Sequence, residues 1–258
     1  MIHISSTPGR LKIASYVLAT ALLLGAAAMA AAAPTAQEIL DSVDVSGLLA
    51  GSGRALIELL VEKGKQAKVN RIEVYRYDDG KGTSRQMVEF LSPADVKGTK
   101  FLSIVEPGAE DQMWLYLPAV GRERRIAGSS AQGQFMGTDF TFEEISLNRS
   151  TWEQYTPSLL ADRLVDGVLC HIVKLAPKSS GQSYSSLVLC VSKGDMNPVR
   201  IEFYGKGDKL QKVMTLSWDP QVIRLENVAA GSTTTVKVLE YDEGAVPDEV
   251  FTLRYLRK

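Results

Sequence analysis

The feature that most constrains the fold is a long succession of short segments in which apolar and polar residues alternate, each closed by turn-forming residues. A period of two puts one face of a strand on a core and the other in solvent. Val69–Tyr77 leads through Asp78-Asp79-Gly80 into Ser84–Leu91. Ser92-Pro93-Ala94-Asp95 then turns into Thr99–Glu106, and Pro107-Gly108 into Gln112–Leu117. Pro118, which cannot donate a ladder hydrogen bond, stops that last strand. Alternation resumes in Ala161–Val165, Val168–Leu175, Tyr184–Ser192, Val199–Tyr204, Gln211–Trp218, Val222–Val228, Thr233–Tyr241 and Phe251–Tyr255. About a dozen strands at hairpin spacing predict a meandering antiparallel sheet or barrel rather than crossover units.

Upstream the pattern changes. Thr35-Ala36-Gln37-Glu38 has the form of a capping box and opens a helix carrying Ile39, Leu40 and Val43. Arg54–Glu62 fits either a helix or a strand by periodicity. The strand is preferred because Lys63-Gly64-Lys65 has hairpin composition and the next segment alternates. Downstream, Thr141–Leu147 fits a short helix and Thr151–Tyr155 is irregular.

The first thirty residues stand apart. Arg10 and Lys12 precede an apolar run from Ile13 to Met29, and Ala28-Met29-Ala30 supplies a small-x-small cleavage site. This is the form of a Sec-type secretory signal peptide, expected to be cleaved before Ala31; an uncleaved anchor is the alternative. No cysteine lies near the site, so N-terminal lipidation is not expected and the mature chain should be periplasmic. Removing Arg10 and Lys12 from the 29 basic residues leaves 27 against 30 acidic ones. That balance is a poor match for nucleic acid, which calls for a concentrated positive face.

Catalytic and metal-binding motifs are sparse. His3 lies in the leader and leaves His171 as the sole imidazole. Neither G-x-S-x-G nor H-E-x-x-H occurs. Cys170, His171 and Cys190 are too few for a structural zinc site, and adjacent strand residues point to opposite faces. The acidic pairs Asp78-Asp79, Glu143-Glu144 and Asp242-Glu243 have the character of solvated or helix-capping groups. No calcium-loop spacing and no phosphate-cradling glycine motif is present, so no metal, cofactor or catalytic residue is expected. A hairpin centred on Ser180 would set Cys170 directly opposite Cys190, favouring a cross-strand disulfide in an oxidising compartment over two free buried thiols.

The segment Gln112–Ser146, QMWLYLPAVGRERRIAGSSAQGQFMGTDFTFEEIS, has a different character. After its strand come three arginines, Arg122, Arg124 and Arg125. A Gly/Ser-rich stretch then carries Phe135, Met136, Phe140 and Phe142. Large apolar groups on such a loop are unusual, and suit a cover that opens over an apolar surface. The loop Gly128–Phe142 is therefore expected to gate an apolar trough. Phe101, Trp114 and Tyr116 either line that trough or form core beneath the sheet. The arginines are either a charged strand edge that discourages aggregation or contacts to anionic headgroups or to a partner's acidic patch.

This tract, with FLSPADVKG (Phe90–Gly98) and the Arg200–Tyr204 strand, resembles the periplasmic outer-membrane lipoprotein-sorting family with a LolA-like fold. The resemblance covers nearly the whole chain after Ala36, and Val45–Gln66 departs from it most. It implies an incomplete, half-open antiparallel β-barrel with a few helices as a lid, forming one carrier domain over 31–258. It also implies a lipoprotein or lipid ligand, passed from an inner-membrane exporter to an outer-membrane acceptor. A hydrolase of envelope lipids working through His171, and a ligand-free structural subunit, are the competing readings.

Overall fold

The computed structural model describes residues 33–43, 51–146 and 149–258; the expected signal peptide and most of its cleavage region lie outside them. Within Pro34–Lys258, thirteen strands form one antiparallel sheet. They are β1 Gly53–Lys63, β2 Gln66–Asp78, β3 Ser84–Ser92, β4 Lys100–Val105, β5 Gln112–Leu117, β6 Arg122–Ile126, β7 Tyr155–Val165, β8 Val168–Pro177, β9 Ser186–Ser192, β10 Pro198–Gly205, β11 Lys209–Trp218, β12 Gln221–Asn227 and β13 Ser232–Glu243. The spatial order is β6-β5-β4-β3-β2-β1-β13-β12-β11-β10-β9-β8-β7. Two meanders thus meet at β1–β13, and the consecutive strands β6 and β7 are the two free edges. The sheet is an unclosed barrel, mainly β with few helices, as expected.

The sequence accounts for most of this locally. The capping box forms at α1 (Ala36–Ser42): Glu38 N–H donates to Thr35 Oγ1 at 3.2 Å, and Glu38 Oε2 accepts from Thr35 N at 2.7 Å. Burial in β1 alternates through Ala55, Ile57 and Leu59, which settles that ambiguous segment as a strand. These residues, with Ile72, Val74, Phe90, Phe101, Leu115, Leu189, Ile201, Phe203 and Leu225, belong to one apolar cluster fed by strands from both meanders. It is the inner face of the sheet.

Three expectations fail, each for a reason of register or topology. Phe251–Tyr255 is not a strand. Both neighbours of β13 are already taken, and the segment instead forms a 3₁₀ turn, Asp248–Phe251, and α4, Leu253–Leu256, capped by Thr252. Val250, Phe251 and Leu256 pack there on Met87 and Leu102, on the outer face. Trp114 and Tyr116 do not share a face with Phe101. Phe101 pairs with Leu115, so Trp114 falls opposite Leu102 and packs under the C-terminal segment. The disulfide is also absent. The β8–β9 register is slipped by two residues, pairing Cys170 with Ser192 and Ile172 with Cys190, so the thiols are diagonal neighbours and both free. Burial pushes both thiols up in pKa.

Candidate functional site

Because β6 and β7 are consecutive in sequence but lie at opposite edges, residues 127–154 must cross from one side of the barrel to the other. The described part of this crossing that carries Phe135, Phe140, Phe142 and Trp152 packs into the inner-face cluster. A 3₁₀ turn, Gly128–Gln132, precedes a tight hairpin in which Phe135 N–H donates to Phe140 O at 2.8 Å and Thr138 N–H to Phe135 O at 2.9 Å. Met136 and Gly137 turn the chain with φ of +47° and +78°. Positive φ at both central residues suits a hairpin of this handedness, at a strain cost for methionine on the order of 1 kcal/mol. Two short helices follow, α2 Phe142–Ile145 and α3 Arg149–Trp152.

The aromatics expected to form a loose gate are part of the core. Phe135 is fully buried, and Phe140 and Phe142 nearly so. Phe135 meets Phe90, Phe101 and Phe142 with ring centroids 5.8, 5.4 and 5.4 Å apart. Met136 is half-buried against the same cluster. The Gly/Ser composition that suggested a mobile cover instead lets a short segment thread between packed walls. Phe101 lines the interior, whereas Trp114 and Tyr116 do not.

What fastens this plug is polar. Glu144 is 6% exposed. Its carboxylate accepts from Lys212 Nζ at 3.0 and 2.9 Å, from the Thr141 backbone N–H at 2.8 Å, and from the Tyr184 hydroxyl. Burial first, then the Glu144 charge, raises the Tyr184 pKa. Lys212 also donates to Asp139 O at 2.7 Å. Asp139, buried as well, accepts from Ser232 Oγ at 2.5 Å and Thr234 Oγ1 at 2.8 Å, while its own N–H donates to Thr234 Oγ1 at 2.8 Å. Glu144 does act as a cap, as its sequence suggested, but it is not solvated. Lys212, Tyr184, Asp139, Ser232 and Thr234 were missed, because their contacts join elements far apart in the chain.

One end of the plug stays open. A cleft of about 690 Å³ lies between the β4–β5 turn, the end of β6 and the plug, with Met113, Ile126 and Ala131 on its apolar side and Glu110, Asp111 and Glu143 on its rim. A second cleft of about 680 Å³ shares Ala109, Asp111 and Gln154 with it. These volumes are in the range of small-molecule sites. Burial, then the neighbouring Glu110 charge, raises the Asp111 pKa. On edge strand β6 the arginines divide. Arg122 and Arg124 share the face of Leu117 and Leu115, while Arg125 faces the other way and binds Glu110 at 3.1 Å. All three are exposed. His171 Nδ1 lies 3.3 Å from Asp162 Oδ1, and Lys193 Nζ donates to the other carboxylate oxygen, Asp162 Oδ2, at 2.5 Å.

With this geometry established, comparison with known proteins places the fold. A family model described as "Uncharacterized protein" matches residues 82–258. A domain provisionally named an outer membrane lipoprotein-sorting protein, from Vibrio parahaemolyticus, superposes with TM-score 0.73 at 23% identity, covering 81% of this chain and 92% of that one. A LolA superfamily protein from Nitrosomonas europaea gives 0.67 at 20% identity, covering 86% and 100%. The chain belongs to the family of that model, and its fold is LolA-like. A DUF1329 family protein from Desulfovibrio piger resembles this LolA-like chain with TM-score 0.75 at 27% identity, covering 87% of it and 100% of its own length. No curated protein matches. Among the described residues, no helix is long and apolar enough to cross a membrane.

Proposed function

We propose that this LolA-like protein is a periplasmic carrier that shelters the acyl chains of a lipid or lipoprotein in the barrel interior during transfer between membranes. The observation that carries this reading is that the inner face is apolar over both meanders while its filler, residues 127–154, belongs to neither of them. In this proposal the plug is the occupant of the empty state. Acyl chains enter at the cleft beside Met113 and Ile126 and replace Phe135, Phe140 and Phe142 against the walls. Water-exposed acyl surface costs about 25 cal/mol per Å², so a soluble shuttle needs such a surface and no catalyst. The buried Glu144–Lys212 pair supports a releasable plug, because such pairs contribute little net stability while specifying one arrangement. Arg122 and Arg124, exposed on the inner side of the β6 edge, are the proposed contacts for an anionic headgroup or a partner's acidic patch. An inner-membrane exporter as donor and an outer-membrane acceptor complete the proposed route, with residues 1–30 as the export signal.

The test is mass spectrometry of organic extracts from protein released gently from the periplasm. Stoichiometric co-purifying lipid supports a carrier. Lipid-free protein that also fails to take up a fluorescent fatty-acyl probe returns the fold to a structural role.

A further inference from the structure

The inner face of β2 changes character in one step. Ile72 and Val74 belong to the apolar cluster, and two residues on the same face presents Arg76. The register carries this change across the sheet. One rung runs through Val74, Val88, Phe101 and Leu115, all buried and apolar. The next runs through Arg76, Gln86, Ser103, Met113 and Ile126. Met113 and Ile126 are the apolar wall of the larger cleft. A polar group of three side chains therefore shares a rung with that cleft and borders an apolar floor. Arg76 is only 7% exposed, and its Nη2 donates to Asp78 Oδ2 at 2.5 Å. Its Nε is sealed from solvent and finds no acceptor among the described residues. The buried Ser103 and the half-buried Gln86 make no side-chain hydrogen bond among the described residues either. A desolvated donor without an acceptor destabilises a fold, and a guanidinium is the side chain best shaped for an oxyanion.

We propose that Arg76, with Gln86 and Ser103, holds the oxyanion headgroup, a carboxylate or a phosphate, of an amphiphile whose acyl chain lies along the apolar rungs. This rests on the carrier reading and names its ligand class: an anionic amphiphile with its head inside the mouth. A buried guanidinium binds an anion more strongly than exposed arginines do, because water screens it less. Arg122 and Arg124 are then left for a partner's acidic patch. The acidic rim of the cleft, Glu110, Asp111 and Glu143, lies at the Met113 end of the rung. Three strand spacings separate Met113 from Arg76, about 14 Å, so the rim charges are largely screened from the site. Asp78 is the resident competitor, and the ligand's oxyanion supplies the acceptor that Nε lacks.

Equilibrium binding of three fluorescent probes to the mature full-length chain tests this. They share one acyl chain and end in a carboxylate, a phosphate monoester or a neutral hydroxyl. At least one anion should bind about tenfold or more tighter than the alcohol. Whichever anion binds tighter names the source, a free fatty acid or a phosphorylated lipid. Arg76→Met should erase the preference. Asp78→Asn, at a half-buried position, removes the competing carboxylate and should enlarge the preference, so the test does not hang on Arg76→Met folding. Equal affinity for anions and alcohol overturns the site and leaves the carrier reading standing. A preference unchanged by Arg76→Met and Asp78→Asn but lost in Arg122→Met/Arg124→Met moves the headgroup to the β6 edge and overturns the site equally. Binding of none of the probes overturns the carrier reading and the site together.

Discussion

Two non-strand segments clothe this sheet, one on each face, and they are fastened by different chemistry. On the outer face, the C-terminal segment buries Val250, Phe251 and Leu256 against Met87 and Leu102. Its polar contacts include Thr252 Oγ1, which accepts from Tyr255 N at 3.2 Å, and the buried Lys100 ammonium, which donates to Tyr255 O at 3.4 Å and pairs with the half-buried Glu89 at 3.5 Å. On the inner face, the plug combines buried aromatics with a buried carboxylate–ammonium pair and a fully bonded aspartate. The outer coat holds mainly by area, with no fully buried carboxylate tied to it among the described residues. A polar latch is worth little net when complete and costs much when half-broken, which makes it all-or-none. That difference is why the inner segment is the candidate moving part and the outer one is not.

The largest expected effects probe whether both segments are real core. Phe135→Ala and Phe251→Ala should each cost about 3–5 kcal/mol in urea unfolding, as truncations of buried aromatics do. A loss below about 1 kcal/mol for Phe135→Ala would restore the loose gate that the sequence suggested. Next comes the latch. Lys212→Met alone should cost about 3–5 kcal/mol by stranding Glu144, whereas Lys212→Met combined with Glu144→Met should recover much of that. Equal losses in the single and double variants would show that the pair stabilises rather than specifies. Smaller still, Thr234→Val leaves Asp139 short of a partner and should cost about 1–3 kcal/mol. On the outer face, Thr252→Ala removes a helix cap worth about 1 kcal/mol.

The smallest effect lies at the mouth. Asp111 has a folded-state pKa raised by burial and by Glu110, so its ionised form is disfavoured on folding. The penalty is absent below the unfolded carboxylate pKa and appears as pH rises through the folded one. Asp111→Asn should therefore raise the melting temperature slightly at neutral pH and leave it unchanged in acid. An unchanged neutral-pH value would mean that the rim is better solvated than its burial implies.

Much of the architecture was legible because a period of two repeats along each strand and turn residues mark its ends. Register was not, because it depends on how many residues each turn consumes. A slip of two moved Cys170 from Cys190 to Ser192, and an odd offset put Trp114 behind the sheet rather than beside Phe101. The C-terminal segment alternates like a strand, but β13, which it follows, already has a strand on each side. The latch was least legible of all. Glu144 and Lys212 are 68 residues apart and Asp139 and Thr234 are 95 apart, and neither pair has a local signature beyond the capping role of Glu144. Phe135 and Phe140 were singled out for the right surface, but composition suggested mobility where packing gives burial.

The central claim is that the plug leaves the interior when acyl chains enter. Ser183 Oγ donates to Glu143 Oε2 at 2.7 Å, joining α2 to the loop before β9, and both side chains are only half-buried. A Glu143→Cys/Ser183→Cys variant, bridged by a short reducible cross-linker, ties the plug to the wall, while the buried Cys170 and Cys190 stay unreactive. Uptake of a fluorescent fatty-acyl probe is then measured before cross-linking, with the bridge in place, and after reduction. The account predicts uptake, loss of uptake, and recovery. Undiminished uptake with the plug tethered would contradict it.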